Sequence, residues 1–119
     1  GGVRAAVEQV VAHLAAAISS STFSACLPAL VEAAEHHPEV AELLHRYSAE
    51  RRRTLVGLLR RGVRSGELPP HLDPELASIA LAGAVIYCRS LTPTPLPPRR
   101  VRRLVEQVLG PRSPSPRSR

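Results

Sequence analysis

The sequence predicts an all-α protein, an antiparallel bundle of about five helices in one domain. The chain has 119 residues and is 44% hydrophobic, which suits a single domain with a core of its own. Alanine and leucine dominate, and Phe23, Tyr47 and Tyr87 are the only aromatic residues. Apolar residues recur at spacings of three and four, whereas β-branched residues show no period-two alternation, and this combination is typical of helices.

The first helix is predicted over residues 3–18 and the second over residues 22–35. Apolar residues of the first helix share one face: Val3, Val7, Val10, Val11, Leu14 and Ile18. The segment Ser19–Thr22 ends that helix and offers N-caps to the next one. Pro28 lies well inside the second helix, so we expect that helix to start late or to bend there.

A long third helix is predicted from Pro38 to about Arg64. Proline suits a first helical position and Gly66 suits the position after the last turn. The apolar face of this helix is interrupted between Tyr47 and Leu55, where polar residues replace the expected leucines.

The fourth helix lies in the segment 72–91, with Asp73 as its N-cap and Pro74 at its first position. The run Ile79–Cys88 leaves almost no polar face, so this helix must be covered on several sides. A transmembrane span needs roughly 20 apolar residues, about twice this run, so we interpret it as a buried helix. Because a small domain has little interior, a second copy of the chain is an expected covering partner. A proline-rich linker, residues 92–98, then precedes a last helix at about 99–109.

The formal net charge of +6 comes entirely from the last helix and the tail. Seven arginines against Glu106 follow residue 98, whereas the arginines and acids of residues 1–98 balance. The body is therefore not a basic binding surface, and the tail, residues 111–119, is expected to be disordered. The third helix carries six arginines among acids, which we interpret as a solvated face, with a nucleic-acid contact as the alternative: Arg51, Arg52, Arg53, Arg60, Arg61 and Arg64.

The sequence carries no motif that predicts catalysis, a cofactor or a metal. It lacks GxSxG, HExxH, CxxC and a glycine-rich phosphate loop, so we predict that the protein is not an enzyme. His36, His37 and His45 do not have the i, i+4 spacing of helical metal ligands. No signal peptide or lipidation motif is visible, and the two cysteines are expected to be reduced thiols, so we expect a cytoplasmic location without membrane contact.

A small-molecule pocket between helices is the remaining candidate site. Pockets of this kind are mostly apolar with a few polar groups. The candidate ligand-binding residues are polar, aromatic or sulfur-bearing residues on apolar faces, with two neighbouring leucines: His13, Phe23, Cys26, Leu27, Ser48, Arg51, Leu55, Tyr87 and Cys88.

Three stretches of the chain resemble the C-terminal regulatory domain of tetracycline-repressor (TetR) family transcription regulators, which are bacterial. They are PALVEAA at 28–34 followed by HPEVAELL at 37–44, the arginine-rich helix that ends RRGVRSGEL at 60–68, and LDPELA at 72–77. The resemblance covers roughly residues 1–109. It implies that the helices from Asp73 and Arg99 pair with their copies as a four-helix bundle, and that the earlier helices enclose the pocket of an unknown small-molecule effector.

The same resemblance implies a DNA-binding helix-turn-helix domain, which residues 1–119 do not contain. Operator DNA would be contacted only through that missing domain. The leading hypothesis is thus a regulatory domain, residues 1–110, that senses a ligand and dimerises within a transcriptional regulator of the repressor type. The alternatives are a stand-alone helical protein-interaction module and a nucleic-acid accessory domain. The predicted homodimer interface is Leu76, Ile79, Ala80, Gly83, Ala84, Ile86, Tyr87, Val101, Leu104, Val105 and Val108.

Overall fold

A computed structural model describes residues 2–111, and those residues form helices joined by short turns. The helices are α1 (Val3–Ser20), α2 (Thr22–Ala34), α3 (Pro38–Ser65), α4 (Pro74–Leu91) and α5 (Val101–Leu109). A 3-10 turn, Pro98–Arg100, leads into α5. Within the described range there is no strand, so the all-α prediction is confirmed. The predicted tail falls almost wholly on residues 112–119, which lie outside the described residues.

The helix ends follow the local sequence signals. Asp73 Oδ1 accepts a hydrogen bond from the Leu76 N–H at 3.1 Å, as an N-cap does. Gly66 has φ +84°, a left-handed conformation that costs glycine little, and it ends α3. Helix α2 begins at Thr22 and continues through Pro28, so the late start allowed by the sequence does not occur.

The core lies at one end of the long helix α3. Its members come from α1, the second half of α3, α4, α5 and the α3–α4 turn: Val3, Val7, Val11, Ala15, Leu55, Leu59, Leu68, Ala77, Leu81, Val85, Val101, Val105 and Leu109. None of these residues lies between Ala15 and Leu55 in the sequence. The gap in the apolar face of α3 therefore marks the place where this helix leaves the core.

Helix α2 and the first half of α3 form a hairpin beside the core. Its best-packed aromatic contact joins the Phe23 and Tyr47 rings, whose centroids are 4.7 Å apart. The Arg51 guanidinium lies over the Tyr47 ring at 5.7 Å from its centroid, within the range of a cation–π contact. Phe23, Val31, Leu43 and Tyr47 nevertheless remain exposed, so the hairpin adds little to the buried core.

The start of α1 packs against the turn that follows α3. The Val3 N–H donates to Glu67 Oε2 at 3.2 Å. A Cβ atom placed on Gly62 would lie 2.6 Å from Leu68 Cδ1 and 2.8 Å from Val3 Cγ1, so only glycine fits without a shift. At the other end of the chain, Arg4 donates to the Pro111 carbonyl oxygen at 3.2 Å. The beginning of α1 is therefore held to both α3 and the end of α5.

None of the described helices alone has the length and apolar content needed to cross a membrane. The pair α1 and α2 meets those criteria only when taken together across an 81° bend.

Candidate functional site

One side of α4 is apolar, uncharged and uncovered in the single chain. The opposite side of this helix is buried through Ala77, Ser78, Leu81 and Val85. We call the uncovered side the α4 face; its exposed residues are Leu76, Ile79, Ala80, Gly83, Ile86, Tyr87, Ser90 and Leu91. Their spacing of three and four places them on one stripe along the helix.

The α4 face exposes large side chains next to very small ones. Leu76, Ile79 and Tyr87 are 63%, 49% and 59% exposed. Between them, a Cβ atom added to Gly83 would meet nothing within 4 Å. Ser90 and the Tyr87 hydroxyl supply its only polar groups, so the face has the composition of an interface core.

The structure divides the predicted dimer interface between two environments. Six of its residues belong to the α4 face, and Ala84 beside them is half-buried. On α5, however, Val101 and Val105 are only 3% and 0% exposed, because their side chains pack in the core of the same chain. In the single chain these two valines therefore present almost no surface to a second copy. Leu104 and Val108 are half-buried at the edge of the core.

The nine residues predicted to bind a ligand do not converge on one pocket. His13, Cys26, Ser48 and Tyr87 are exposed, whereas Leu55 belongs to the core. Leu27 and Cys88 are half-buried on different helices. Phe23 and Arg51 are brought together, through Tyr47, which the prediction did not include. In the single chain these residues therefore do not assemble into the predicted pocket. Helical periodicity predicts which side of each helix is apolar, but not which of those sides meet.

A surface cleft instead lies between the middle of α3 and the start of α4. We call it the α3–α4 cleft; it has a volume of about 280 Å³ and is lined by Ala49, Arg52, Arg53, Val56, Gly57, Arg60 and Glu75. From the sequence, these arginines were expected to form a solvated helix face. The spacing of Arg52, Val56 and Arg60 by one helical turn each was the signal that they share one side.

A second depression of about 390 Å³ lies between α1 and the start of α5, and it is more open to solvent. Its lining comes from α1, the 3-10 turn and α5: Ala5, Glu8, Gln9, Ala12, Pro98, Val101 and Arg102. Across residues 2–111, no three metal-ligating side chains are grouped to hold an ion. Cys26 and Cys88 form no disulfide.

The sequence was also compared with known protein families, and one family matches residues 1–108. That family is described as the tetracyclin repressor-like C-terminal domain. The chain belongs to this family. The comparisons with curated proteins and with solved structures gave no match.

Membership of the TetR-like family supplies the functional class. Domains of this kind serve regulators in ligand binding and dimerisation. They are parts of regulators and not of enzymes.

Proposed function

We propose that this TetR-like domain is the effector-sensing and dimerisation part of a cytoplasmic transcriptional repressor and that it works as a homodimer. Operator DNA is bound by a helix-turn-helix domain on the amino-terminal side of α1. The α4 face carries the proposal, because it is an exposed apolar surface without charged side chains.

Burial of the α4 face favours association. Fully burying a leucine or isoleucine side chain is worth about 1.5–3 kcal/mol. Leu76 and Ile79 are 63% and 49% exposed in the single chain, so covering each contributes about 1 kcal/mol or more. In an interface with two-fold symmetry each residue contributes twice, once from each copy. No charged side chain of the α4 face has to be desolvated in return.

The small residues of the α4 face support close contact between two helices. Glycine inside a helix is about 1 kcal/mol less favourable than alanine. Nothing in the single chain requires glycine at position 83, since an added Cβ meets no atom within 4 Å. A helix of a second copy that crosses α4 near Ala80 and Gly83 gives these small residues a function.

A route from the effector site to the preceding domain runs through the start of α1. Val3 donates its N–H to Glu67, and Gly62 packs directly on Val3 and Leu68. A change in the position of α3 therefore acts on the first turn of α1, and through it on the chain that leads to the DNA-binding domain. A ligand changes operator affinity only by its different affinity for the two arrangements.

Replacement of Gly83 by leucine tests the dimer. The side chain has room in the single chain and favours helix, so the variant should fold with unchanged helicity. It should nevertheless prevent close approach of a second α4 and yield monomers at micromolar concentration. Sedimentation equilibrium measures the mass, with Gly83→Ala as the smaller change that should retain more of the dimer. A Gly83→Leu variant that dimerises like the unmodified chain would contradict the proposal.

The stand-alone interaction module is the second candidate, and the same α4 face favours it. In that case the face binds a different protein and the chain alone stays monomeric. A monomer that forms a defined complex with another protein, lost on Gly83→Leu, would replace the homodimer proposal with this one.

A further inference from the structure

We infer that the α3–α4 cleft binds a small organic anion, with one carboxylate or phosphate group and a short apolar body. This inference names the class of the effector, so its regulatory meaning rests on the proposed function. The binding itself uses residues of one chain and can be measured whether or not the chain dimerises.

The charge of the α3–α4 cleft favours an anion. Arg52, Arg53 and Arg60 line it, and Glu75 is the only acidic residue in the lining. Arg53 has an ion pair with Glu50 at 3.5 Å, but both side chains are mostly exposed. Exposed pairs of this kind are weak and screened by salt, so this pair does not withdraw Arg53 from a ligand.

Arg52 lines the cleft with one N–H group already hydrogen-bonded and another buried. Its Nη1 donates to Ser48 Oγ at 2.6 Å. Its Nε is buried and has no hydrogen-bond partner among residues 2–111. A buried donor without a partner is unfavourable. An anion in the cleft does not reach this buried atom and would meet the guanidinium at its other N–H groups, where the planar fork matches a carboxylate or phosphate.

Part of the lining of the α3–α4 cleft is apolar and small. Ala49, Val56 and Gly57 form this part, and the volume of about 280 Å³ is just below the usual range for small-molecule sites. Gly57 lies in the interior of α3, where glycine weakens a helix, and an added Cβ would meet nothing within 4 Å. The missing side chain leaves room for a compact apolar group beside the arginines.

The position of the cleft links the ligand to the dimer. Glu75, at its edge, immediately precedes Leu76 of the α4 face. An anion held by α3 at this point lies beside the first turn of α4, so its binding can differ between two arrangements of the subunits.

Titration calorimetry of the full chain with benzoate tests the inference, in a buffer without phosphate or carboxylates. Benzamide is the neutral control of the same shape, and inorganic phosphate tests the charged group alone. Benzoate should bind about tenfold or more tightly than benzamide, since charged hydrogen bonds are the stronger ones. If phosphate binds more tightly than benzoate, the anionic group of the ligand is a phosphate. Equal affinity for benzoate and benzamide, or no heat from benzoate and phosphate at millimolar concentration, would overturn the anion site.

Two variants with matched controls locate the site. Arg60→Gln and Gly57→Leu should each weaken benzoate binding about tenfold or more, the first by removing a charge and the second by filling the cleft. Arg61→Gln changes an exposed arginine on the same helix outside the cleft and should leave the affinity within about twofold. Equal losses in Arg60→Gln and Arg61→Gln would show general charge attraction and no site.

Gly57→Leu and Gly83→Leu separate this inference from the proposed function. Gly57→Leu should weaken benzoate binding about tenfold or more and leave the dimer mass unchanged, whereas Gly83→Leu should remove the dimer and leave benzoate binding unchanged. Normal benzoate binding by Gly57→Leu overturns the cleft alone. Dimer loss in Gly57→Leu would show that a second copy fills the cleft, which also overturns the inference. An unchanged dimer in Gly83→Leu contradicts only the proposed function.

Discussion

An arginine in place of Ile79 should separate the dimer into folded monomers. Ile79 is 49% exposed in the single chain, so burial of this exposed half contributes about 1 kcal/mol per copy and about 2 kcal/mol per dimer to association. An unpaired guanidinium buried at an interface adds a cost of several kcal/mol. The sum is about 4 kcal/mol or more, equivalent to a rise in the dimer dissociation constant of about a thousandfold. The monomer should lose no stability, because Glu75 lies one turn away and can pair with the new charge.

Sedimentation equilibrium over a wide range of chain concentrations measures the dimer dissociation constants of the unmodified chain and of the Ile79→Arg protein. Val31→Arg is the matched control, because Val31 is 51% exposed but lies on α2, away from the α4 face. The control should dimerise like the unmodified chain, and circular dichroism should show the same helicity in all three proteins. An Ile79→Arg protein that dimerises normally, or a Val31→Arg protein that is equally impaired, would refute the assignment of the interface to α4.

Two further predictions concern stability, both read from thermal unfolding at one fixed chain concentration. Gly62→Ala should lower the melting temperature by about 4 °C or more, because a Cβ 2.6 Å from Leu68 Cδ1 costs about 1–3 kcal/mol and outweighs the gain in helix propensity. Gly57→Ala, whose added Cβ meets no atom within 4 Å, should instead raise the melting temperature. Equal changes in melting temperature for the two variants would contradict the tight packing at Gly62. Asp73→Ala should cost about 1 kcal/mol by removing the N-cap of α4, whereas Asp73→Ser should retain most of that stability.

The helices were predictable from the sequence because their signals are local. Asp73 with Pro74, and Gly66 after α3, mark helix ends by the chemistry of a few neighbouring atoms. The second helix shows the limit of such signals, since Pro28 does not prevent α2 from starting at Thr22. The remaining turns of α2 tolerate the one missing N–H, which a rule based on proline alone does not foresee.

The candidate site was less predictable, because it depends on which helix sides meet. The apolar run of α4 predicted a helix covered on several sides, and the single chain leaves one of those sides exposed. Periodicity could not show that Val101 and Val105 already pack in the core, since an apolar side that faces the same chain looks like one that faces a second copy. The α3–α4 cleft was missed for the same reason, because Glu75 is distant in sequence from Arg52 and Arg60.

The mass of the unmodified chain in solution tests the central claim most directly. The α4 face predicts a particle of twice the chain mass at micromolar concentration, measured by sedimentation equilibrium. Slow amide hydrogen exchange in α4 that becomes faster as the chain is diluted would place the contact on that helix. A particle of single-chain mass at every concentration, with α4 exchange unaffected by dilution, would contradict the homodimer and leave the α4 face to a different partner.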